Sequence, residues 1–158
     1  MRSIYLDSNI LIAYYSPHRS ESTKKELVHN ALHVFASATD VWLCTSVWAV
    51  TEMVNILISS KKMAPAKVAE IESRLFTESF GGLNVKVLEV SPEKDYKFSN
   101  FFGDVRLAIL SYHSGVGDVI HSVIMRNYGI DHILTFDEKN DFKQIPGLTV
   151  FHPKDIRV

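Results

Sequence analysis

The sequence predicts an α/β fold: a mostly parallel, five-stranded sheet with helices on both faces. Short apolar segments of strand length alternate with longer segments whose apolar residues recur at helical spacing. Parallel strands need long crossover connections, which are usually helices. The 158 residues, 46% hydrophobic and 22% charged, are typical of one globular domain spanning residues 1–158.

Five segments are predicted as strands, because each is short, apolar and bounded by polar or turn residues. In chain order they are Ser3–Leu6, Val41–Cys44, Val85–Val90, Ile133–Phe136 and Leu148–Phe151.

The segments between them are predicted as helices. Pro17 ends the first, Ser46 caps the third, and Pro65 suits the first turn of the fourth, which Gly81-Gly82 ends. Ser91-Pro92 starts the fifth, with a break near Gly103, and Gly115 and Gly117 end it. Asp118 opens the sixth, and Gly129 closes it. The helices are Ile10–Tyr15, Ser20–Ser37, Ser46–Ser59, Pro65–Phe80, Ser91–His113 and Asp118–Tyr128.

Composition excludes several classes of protein. The longest apolar run, Ile10–Tyr15, is far shorter than the roughly 20 residues of a transmembrane helix, so we expect no membrane contact. The N-terminus has no signal-peptide pattern, which favours a cytoplasmic protein. A single cysteine, Cys44, excludes an internal disulfide and a cysteine-built zinc site. A net charge of −1 does not indicate a nucleic-acid binder by itself.

Three acidic residues are predicted to lie where ligands bind in such sheets, outside the carboxyl ends of the strands, and a fourth lies within a helix. Asp7 follows the first strand, Asp137 follows the fourth, and Asp118 begins the helix that precedes the fourth. Glu52 lies within an apolar helix and is, with Asp40, one of two charged residues between Ala31 and Lys61. Taken singly, Asp7 and Asp118 also fit helix caps and Asp137 fits a turn, whereas Glu52 also fits a half-buried surface.

Convergence of these acids would be unfavourable unless they were protonated or bound to a cation. Two like charges about 4 Å apart repel by roughly 4 kcal/mol at an effective dielectric constant near 20. Hard oxygen ligands, without cysteine or paired histidines, favour Mg²⁺ or Mn²⁺. Such ions polarise a phosphate and lower the pKa of a bound water that attacks it.

Four segments carry the acids in a fixed order, and together they span nearly the whole chain. They are Tyr5–Ile10, Ser46–Glu52, Gly117–His121, and Ile133–Asp137 with its Thr-x-Asp ending, followed by Asp141-Phe142. This ordered set resembles the PIN-domain family of metal-dependent nucleases.

The resemblance implies a sheet order of 3-2-1-4-5 and an endoribonuclease that cleaves single-stranded RNA by an activated water. Asp7, Glu52, Asp118 and Asp137 would be an acidic quartet that binds Mg²⁺ or Mn²⁺, with Asn9 and Thr135 as polar supports. Many small prokaryotic members are VapC-type toxins of toxin–antitoxin pairs and are usually homodimers. An antitoxin protein and a second copy of the chain are therefore the implied partners, besides RNA.

The sequence departs from the family pattern near its end. The family often ends Thr-x-Asp-x-Asp-Phe, whereas here Asp141 comes two residues later, and we interpret it as part of a surface turn. The stretch from Ser91 to Gly117 accounts for a length greater than that of compact toxins. We interpret most of its aromatic residues as helix core: Tyr96, Phe98, Phe101 and Phe102.

Residues outside the quartet have two readings each. His121, one helical turn after Asp118, fits either contact with a phosphate or a metal-bound water, or packing on the rim of the site, with the second interpretation favoured. Lys61, Lys62 and Lys67 fit either a phosphate track or a solvated helix end, with the second reading favoured. The helix from Pro65 to Phe80 has more apolar residues than one packing stripe needs, which favours a homodimer. These residues are Val68, Ile71, Leu75, Phe76 and Phe80.

Two other functions remain open. A phosphatase of the haloacid-dehalogenase type is also α/β and Mg²⁺-dependent, but it needs Asp-x-Asp after the first strand, and position 9 is Asn. A receiver domain has still less support. A non-catalytic PIN domain that binds RNA or a protein is the second alternative.

Overall fold

The computed structural model describes residues 2–77, 84–137 and 142–156, which form five strands and six α-helices. All four strand pairs are parallel, and the sheet order is β3-β2-β1-β4-β5. The predicted fold class and strand order are confirmed. The strands β1 to β5 are Arg2–Leu6, Val41–Ser46, Val85–Leu88, His132–Leu134 and Thr149–Phe151.

The helices lie in two layers. Helices α1 to α6 are Ser8–Tyr15, Ser22–Ser37, Val47–Ser59, Pro65–Thr77, Phe98–Tyr112 and Val116–Asn127. Short 3-10 helices lie at Arg19–Glu21, Phe142–Gln144 and Pro153–Asp155.

Alternation along the strands divides the core in two, because successive side chains point to opposite faces of a sheet. Ile4 and Leu6 of β1 pack with α1 to α4 on one face. Tyr5, between them in the chain, packs with α5 and α6 on the other. Since β1 is central and buried on both faces, the junction that follows it lies in the middle of the sheet's carboxyl edge.

The fifth helix differs from the prediction. It starts at Phe98 rather than at Ser91-Pro92, because the Ser91 hydroxyl accepts a hydrogen bond from the Glu93 amide (3.2 Å) and closes a separate turn there. Gly103 does not break it. A Cβ at position 103 would meet no atom within 4 Å, so this glycine marks an open surface rather than a kink.

The junction between α5 and α6 also differs. His113, in the left-handed conformation (φ 54°), ends α5, and Gly115 is the N-cap of α6. The prediction that Gly115 and Gly117 end the fifth helix is therefore wrong. Gly117 and Asp118 both lie in the first turn of α6, where a carboxylate interacts favourably with the helix dipole.

Two of the four aromatic residues predicted as core, Tyr96 and Phe101, pack in the core, and the other two do not. Phe101 is buried, but Phe98 is 69% exposed and Phe102 49%. No helix in the described part of the chain is long and apolar enough to span a membrane. Three features of the sequence interpretation, namely Phe80, Gly81-Gly82 and Asp141, lie outside the described residues.

Candidate metal centre

Asp7 lies in the one-residue junction between β1 and α1, at the centre of the carboxyl edge. Its side chain accepts a hydrogen bond from the Ser8 amide (2.6 Å), so it does cap α1. Its other oxygen accepts hydrogen bonds from Asn9 Nδ2 (2.7 Å) and the Thr135 hydroxyl (2.6 Å). Asp7 therefore both caps α1 and belongs to the candidate site, and it is only 5% exposed.

Asn9 and Thr135 tie the end of β1 to the end of β4. Asn9 donates to Thr135 Oγ1 (2.9 Å) and accepts from the Phe136 amide (3.1 Å). Thr135 Oγ1 also accepts from the Asp137 amide (3.0 Å). The two predicted polar supports thus fix both the Asp7 carboxylate and the backbone that carries Asp137.

Glu52 lies half-buried on α3, and α6 holds it on two sides. Its Oε2 atom is 2.8 Å from His121 Nε2. Its Oε1 atom lies beside Gly117, where a Cβ would come within 3.1 Å. Burial raises the pKa of Glu52, but the hydrogen bond and positive charge of His121 oppose that rise. The net pKa of Glu52 is lowered, which favours the carboxylate.

His121 is buried beneath the acids, at 1% exposure, so the interpretation that it packs on the rim is wrong. Its Nε2 atom contacts Glu52 and lies 3.5 Å from Asp7 Oδ1. Burial lowers the pKa of His121. The Glu52 hydrogen bond and the charges of Asp7, Glu52 and Asp118 raise that pKa by more than burial lowers it. The net pKa of His121 is raised.

Asp7 is the electrostatically costly member of the site. Desolvation raises the pKa of its carboxyl, and the His121 charge and the Thr135 hydrogen bond only partly offset that rise. Nearby Glu52 raises the pKa of Asp7 further. A buried carboxylate with a carboxylate neighbour gains from a bound cation, as the sequence argument expects.

Asp7, Glu52 and His121 each offer a ligand atom, and these atoms lie within 4.8 Å of one another. Two carboxylates fit Mg²⁺ or Mn²⁺, whereas imidazole suits softer ions. Within the described residues, Asp118 and Asp137 are not members of this group. Both are half-buried, and the charge of Asp118 acts on His121. The structure therefore brings together two of the four predicted acids, and the metal-binding roles remain predictions.

The central place of His121, and the two side chains that support it, were not predicted from the sequence. The spacing of His121, three residues after Asp118, was the available signal for its position. The Tyr5 hydroxyl lies 2.7 Å from His121 Nδ1 and 2.5 Å from Ser46 Oγ. A tyrosine inside an apolar strand gives no sequence sign of such a contact.

The three lysines considered as a phosphate track make other contacts. Lys61 forms an ion pair with Glu21 (2.6 Å), and Lys67 forms one with Glu70 (3.0 Å). Lys62 donates to the Ser59 carbonyl. Lys61 and Lys62 follow the C-terminal end of α3, which favours their interpretation as a helix end, whereas Lys67 lies in the first turn of α4.

Comparison with known proteins gives one family and a shared fold. The sequence model described as "PIN domain" matches residues 4–148. No curated protein matches the chain significantly.

Three solved structures illustrate the likeness of fold. VapBC2 from Rickettsia felis, bound to a DNA fragment from the promoter, is 16% identical, with a TM-score of 0.63 over 95% of this chain and 98% of that chain. VapBC-1 from nontypeable Haemophilus influenzae is 15% identical, with a TM-score of 0.61 over 96% and 98%. VapC20 from Mycobacterium tuberculosis, a Sarcin-Ricin loop cleaving toxin, is 14% identical, with a TM-score of 0.58 over 92% and 96%.

Proposed function

The chain belongs to the PIN-domain family, and on that basis we propose that it is a metal-dependent endoribonuclease that cleaves single-stranded RNA. One observation carries the proposal: Asp7 and Glu52, 45 positions apart by their numbers, converge beside His121 at the carboxyl edge of the parallel sheet. This is the edge where open α/β sheets bind ligands.

Asp7 and Glu52 would hold Mg²⁺ or Mn²⁺, and we propose that Asp118 and Asp137 complete the set. A bound divalent cation polarises a phosphoryl oxygen and favours attack by water at neutral pH. The chain's own contribution is orientation. Asn9 and Thr135 hold one oxygen of Asp7 through hydrogen bonds of 2.7 and 2.6 Å, so its carboxylate keeps one direction.

An apolar cleft beside α3 supports the proposal that the substrate is RNA. It has a volume of about 320 Å³, and its walls include Trp48, Phe98 and Phe102. Trp48 precedes Glu52 by one helical turn, so the cleft begins next to the acids. Aromatic faces stack unpaired bases, which single-stranded RNA presents and a duplex does not.

Asp7→Asn tests the activity, because it removes a charge and almost no volume. We expect wild-type protein to cleave single-stranded RNA with Mn²⁺ or Mg²⁺, and we expect EDTA or Asp7→Asn to abolish cleavage. Asp40→Asn is the matched control, since Asp40 is exposed and precedes β2 at the opposite edge of the sheet. Circular dichroism would show that each variant is folded.

Equal cleavage by wild type and Asp7→Asn, in preparations made side by side, would disprove the assignment. RNA binding without cleavage under any divalent cation would favour the non-catalytic alternative. Activity on a phosphate monoester alone would favour the phosphatase. Asn9 supports the nuclease instead, because its amide orients Asp7 where that phosphatase class has a second acid.

We also propose that the protein is the toxin of a toxin–antitoxin pair, acting on RNA in the cytoplasm. The VapBC2 structure and a toxin–antitoxin complex from Klebsiella pneumoniae (17% identical, TM-score 0.54) support this by their shared fold. An adjacent reading frame for a small DNA-binding protein, whose product copurifies with this chain and inhibits it, is the expected result.

A homodimer is the assembly we propose. On α4, Val68, Ile71 and Leu75 are buried in the chain's own core, whereas Phe76 is 53% exposed. Helix α5 exposes further large apolar side chains, and surfaces of this kind mark interfaces. These are Leu107 and Leu110, which do not line the apolar cleft beside α3. Light scattering at micromolar concentration should give the mass of two chains, and a monomer would disprove the proposal.

A further inference from the structure

A buried chain of hydrogen bonds runs from the N-cap of α3 to the carboxylate in the middle of the same helix. Ser46 Oγ, which accepts from the Ala49 amide, lies 2.5 Å from the Tyr5 hydroxyl. That hydroxyl lies 2.7 Å from His121 Nδ1, and His121 Nε2 lies 2.8 Å from Glu52 Oε2. Tyr5, Ser46 and His121 are each at most 1% exposed.

The chemistry of the groups fixes the direction of this chain at Glu52. A carboxylate only accepts hydrogen bonds, so the contact with Glu52 places a hydrogen on Nε2 of His121. Nε2 keeps this hydrogen whether the ring is charged, when Nδ1 donates to the Tyr5 oxygen, or neutral, when Nδ1 accepts from the Tyr5 hydroxyl. In the neutral form Ser46 uses its oxygen to accept from Ala49 and its hydrogen to donate to Tyr5. Every donor in the chain thus has an acceptor, as buried polar groups require.

We propose that His121 is a positioning residue, held in orientation by Tyr5 and Ser46, which fixes the Glu52 carboxylate for a divalent cation and does not itself bind that cation. With a hydrogen on Nε2, the ring has no lone pair directed at the acids. The proposal rests on the proposed function only in assuming that Glu52 binds the cation.

The need for positioning follows from the place of Glu52. Its side chain is flexible and only half-buried, so an unheld carboxylate would lose conformational entropy when it binds a metal. His121 holds Oε2, and the backbone of Gly117 limits Oε1 from the other side. Partners that orient ligands in this way typically change metal affinity by roughly 10–100-fold.

Mn²⁺ titration by calorimetry, without RNA, tests the proposal on the full chain. Tyr5→Phe removes only the hydroxyl that orients the ring, and we expect roughly tenfold weaker Mn²⁺ binding. Tyr96→Phe is the matched control. Its hydroxyl donates to Asp104, which pairs with Arg126 near the far end of α6, and its binding should equal that of wild type.

Two variants of His121 separate positioning from packing. His121→Leu retains apolar contact but no donor, and should weaken Mn²⁺ binding at least as much as Tyr5→Phe. His121→Gln can still donate to Glu52, and should recover part of the loss. The proposal would be overturned if His121→Leu and His121→Gln lost equal Mn²⁺ affinity, or if Tyr5→Phe bound Mn²⁺ as tightly as wild type.

Spectroscopy provides a readout that packing alone would not move. In cation-free protein, long-range ¹H–¹⁵N spectra should show hydrogen on Nε2 of His121, with the ring signals shifted in Tyr5→Phe. Pulsed electron paramagnetic resonance of bound Mn²⁺ should show no directly coordinated imidazole nitrogen. A coordinated nitrogen, or a bare Nε2, would disprove the positioning role. If the variants behave as expected but RNA is not cleaved, the proposed activity fails and this role stands.

Discussion

The hydroxyl of Thr135 donates a 2.6 Å hydrogen bond to Oδ2 of Asp7, across 128 positions of the chain. The Oγ1 atom of Thr135 also accepts hydrogen bonds from Asn9 Nδ2 and from the backbone amide of Asp137. One buried hydroxyl therefore joins the ends of β1 and β4 and orients the Asp7 carboxylate.

Thr135→Val should destabilise the protein while it retains the side chain's shape. Two donors lose their acceptor, and an unsatisfied buried group costs about 1–3 kcal/mol. The Thr135 hydrogen bond lowers the pKa of Asp7, so its loss should raise that pKa further. Urea unfolding at pH 7 measures the stability change. Thr135→Ser, which keeps the hydroxyl, should recover most of it, and a fully stable valine variant would show that the hydroxyl has no structural role.

Gly117→Ala should separate stability from activity. Alanine favours a helix over glycine by about 1 kcal/mol or less, so α6 should not lose stability. The new Cβ would lie 3.1 Å from Glu52 Oε1 and push the carboxylate from its place. We expect Mn²⁺ affinity and RNA cleavage to fall by roughly tenfold, in the range typical for disturbed ligand orientation.

Gly103→Ala is the control for that experiment. It makes the same change inside α5, where a Cβ would meet nothing within 4 Å. Its unfolding midpoint should rise, while Mn²⁺ affinity and cleavage stay at the wild-type level. Unchanged affinity in Gly117→Ala would mean that Glu52 accommodates the methyl group without cost.

The ion pair between Glu21 and Lys61 should make part of the stability depend on pH. The Lys61 hydrogen bond lowers the pKa of Glu21 below its ordinary 4.5 in the folded protein. Because the folded pKa is the lower one, the stabilisation is present above about pH 4.5 and is lost as the pH falls through the folded value.

Glu21→Gln should therefore reduce the free energy of unfolding at pH 7 by up to about 1 kcal/mol, and the difference from wild type should vanish in acid. Urea titrations between pH 7 and pH 3 provide the measurement. The exposed Glu26 on α2 is a suitable control, since Glu26→Gln should stay within about 0.5 kcal/mol of wild type. A difference that persists at pH 3 would contradict the ion-pair explanation.

Cys44 should be unreactive in the native protein. It is 5% exposed, and burial raises the pKa of its thiol to about 12. Since the thiolate is the reactive form, we expect no labelling by Ellman's reagent at pH 8 until urea unfolds the chain, when one thiol per chain should react. Rapid labelling without urea would show that β2 opens locally.

The sequence predicted the sheet well because buried parallel strands are short apolar runs, and β1 shows this in Ile4 to Leu6. It predicted the start of α5 badly. Ser91-Pro92 has the composition of a helix start, but it also suits an isolated turn, and only packing distinguishes the two. The exposure of Phe98 could not be predicted either, because an aromatic residue at helical spacing normally indicates a core position.

The site was predictable where a residue follows a strand and unpredictable where it lies on a helix. Asp7 comes directly after β1, so the sheet geometry places it. The direction of Glu52 and His121 depends on how α3 and α6 rotate against each other, which local spacing does not determine. Tyr5 gave no signal, because its hydroxyl is invisible in an apolar strand pattern.

The parallel pairing of β1 with β4 has a consequence during synthesis. Asp7 leaves the ribosome early, but the hydroxyl that orients it is translated 128 residues later. At roughly 5–20 residues per second, this delay is on the order of ten seconds. Throughout it, the central acid has neither its Thr135 partner nor the strand that completes its edge of the sheet. The candidate metal centre is therefore assembled only after Thr135 and β4 have been translated.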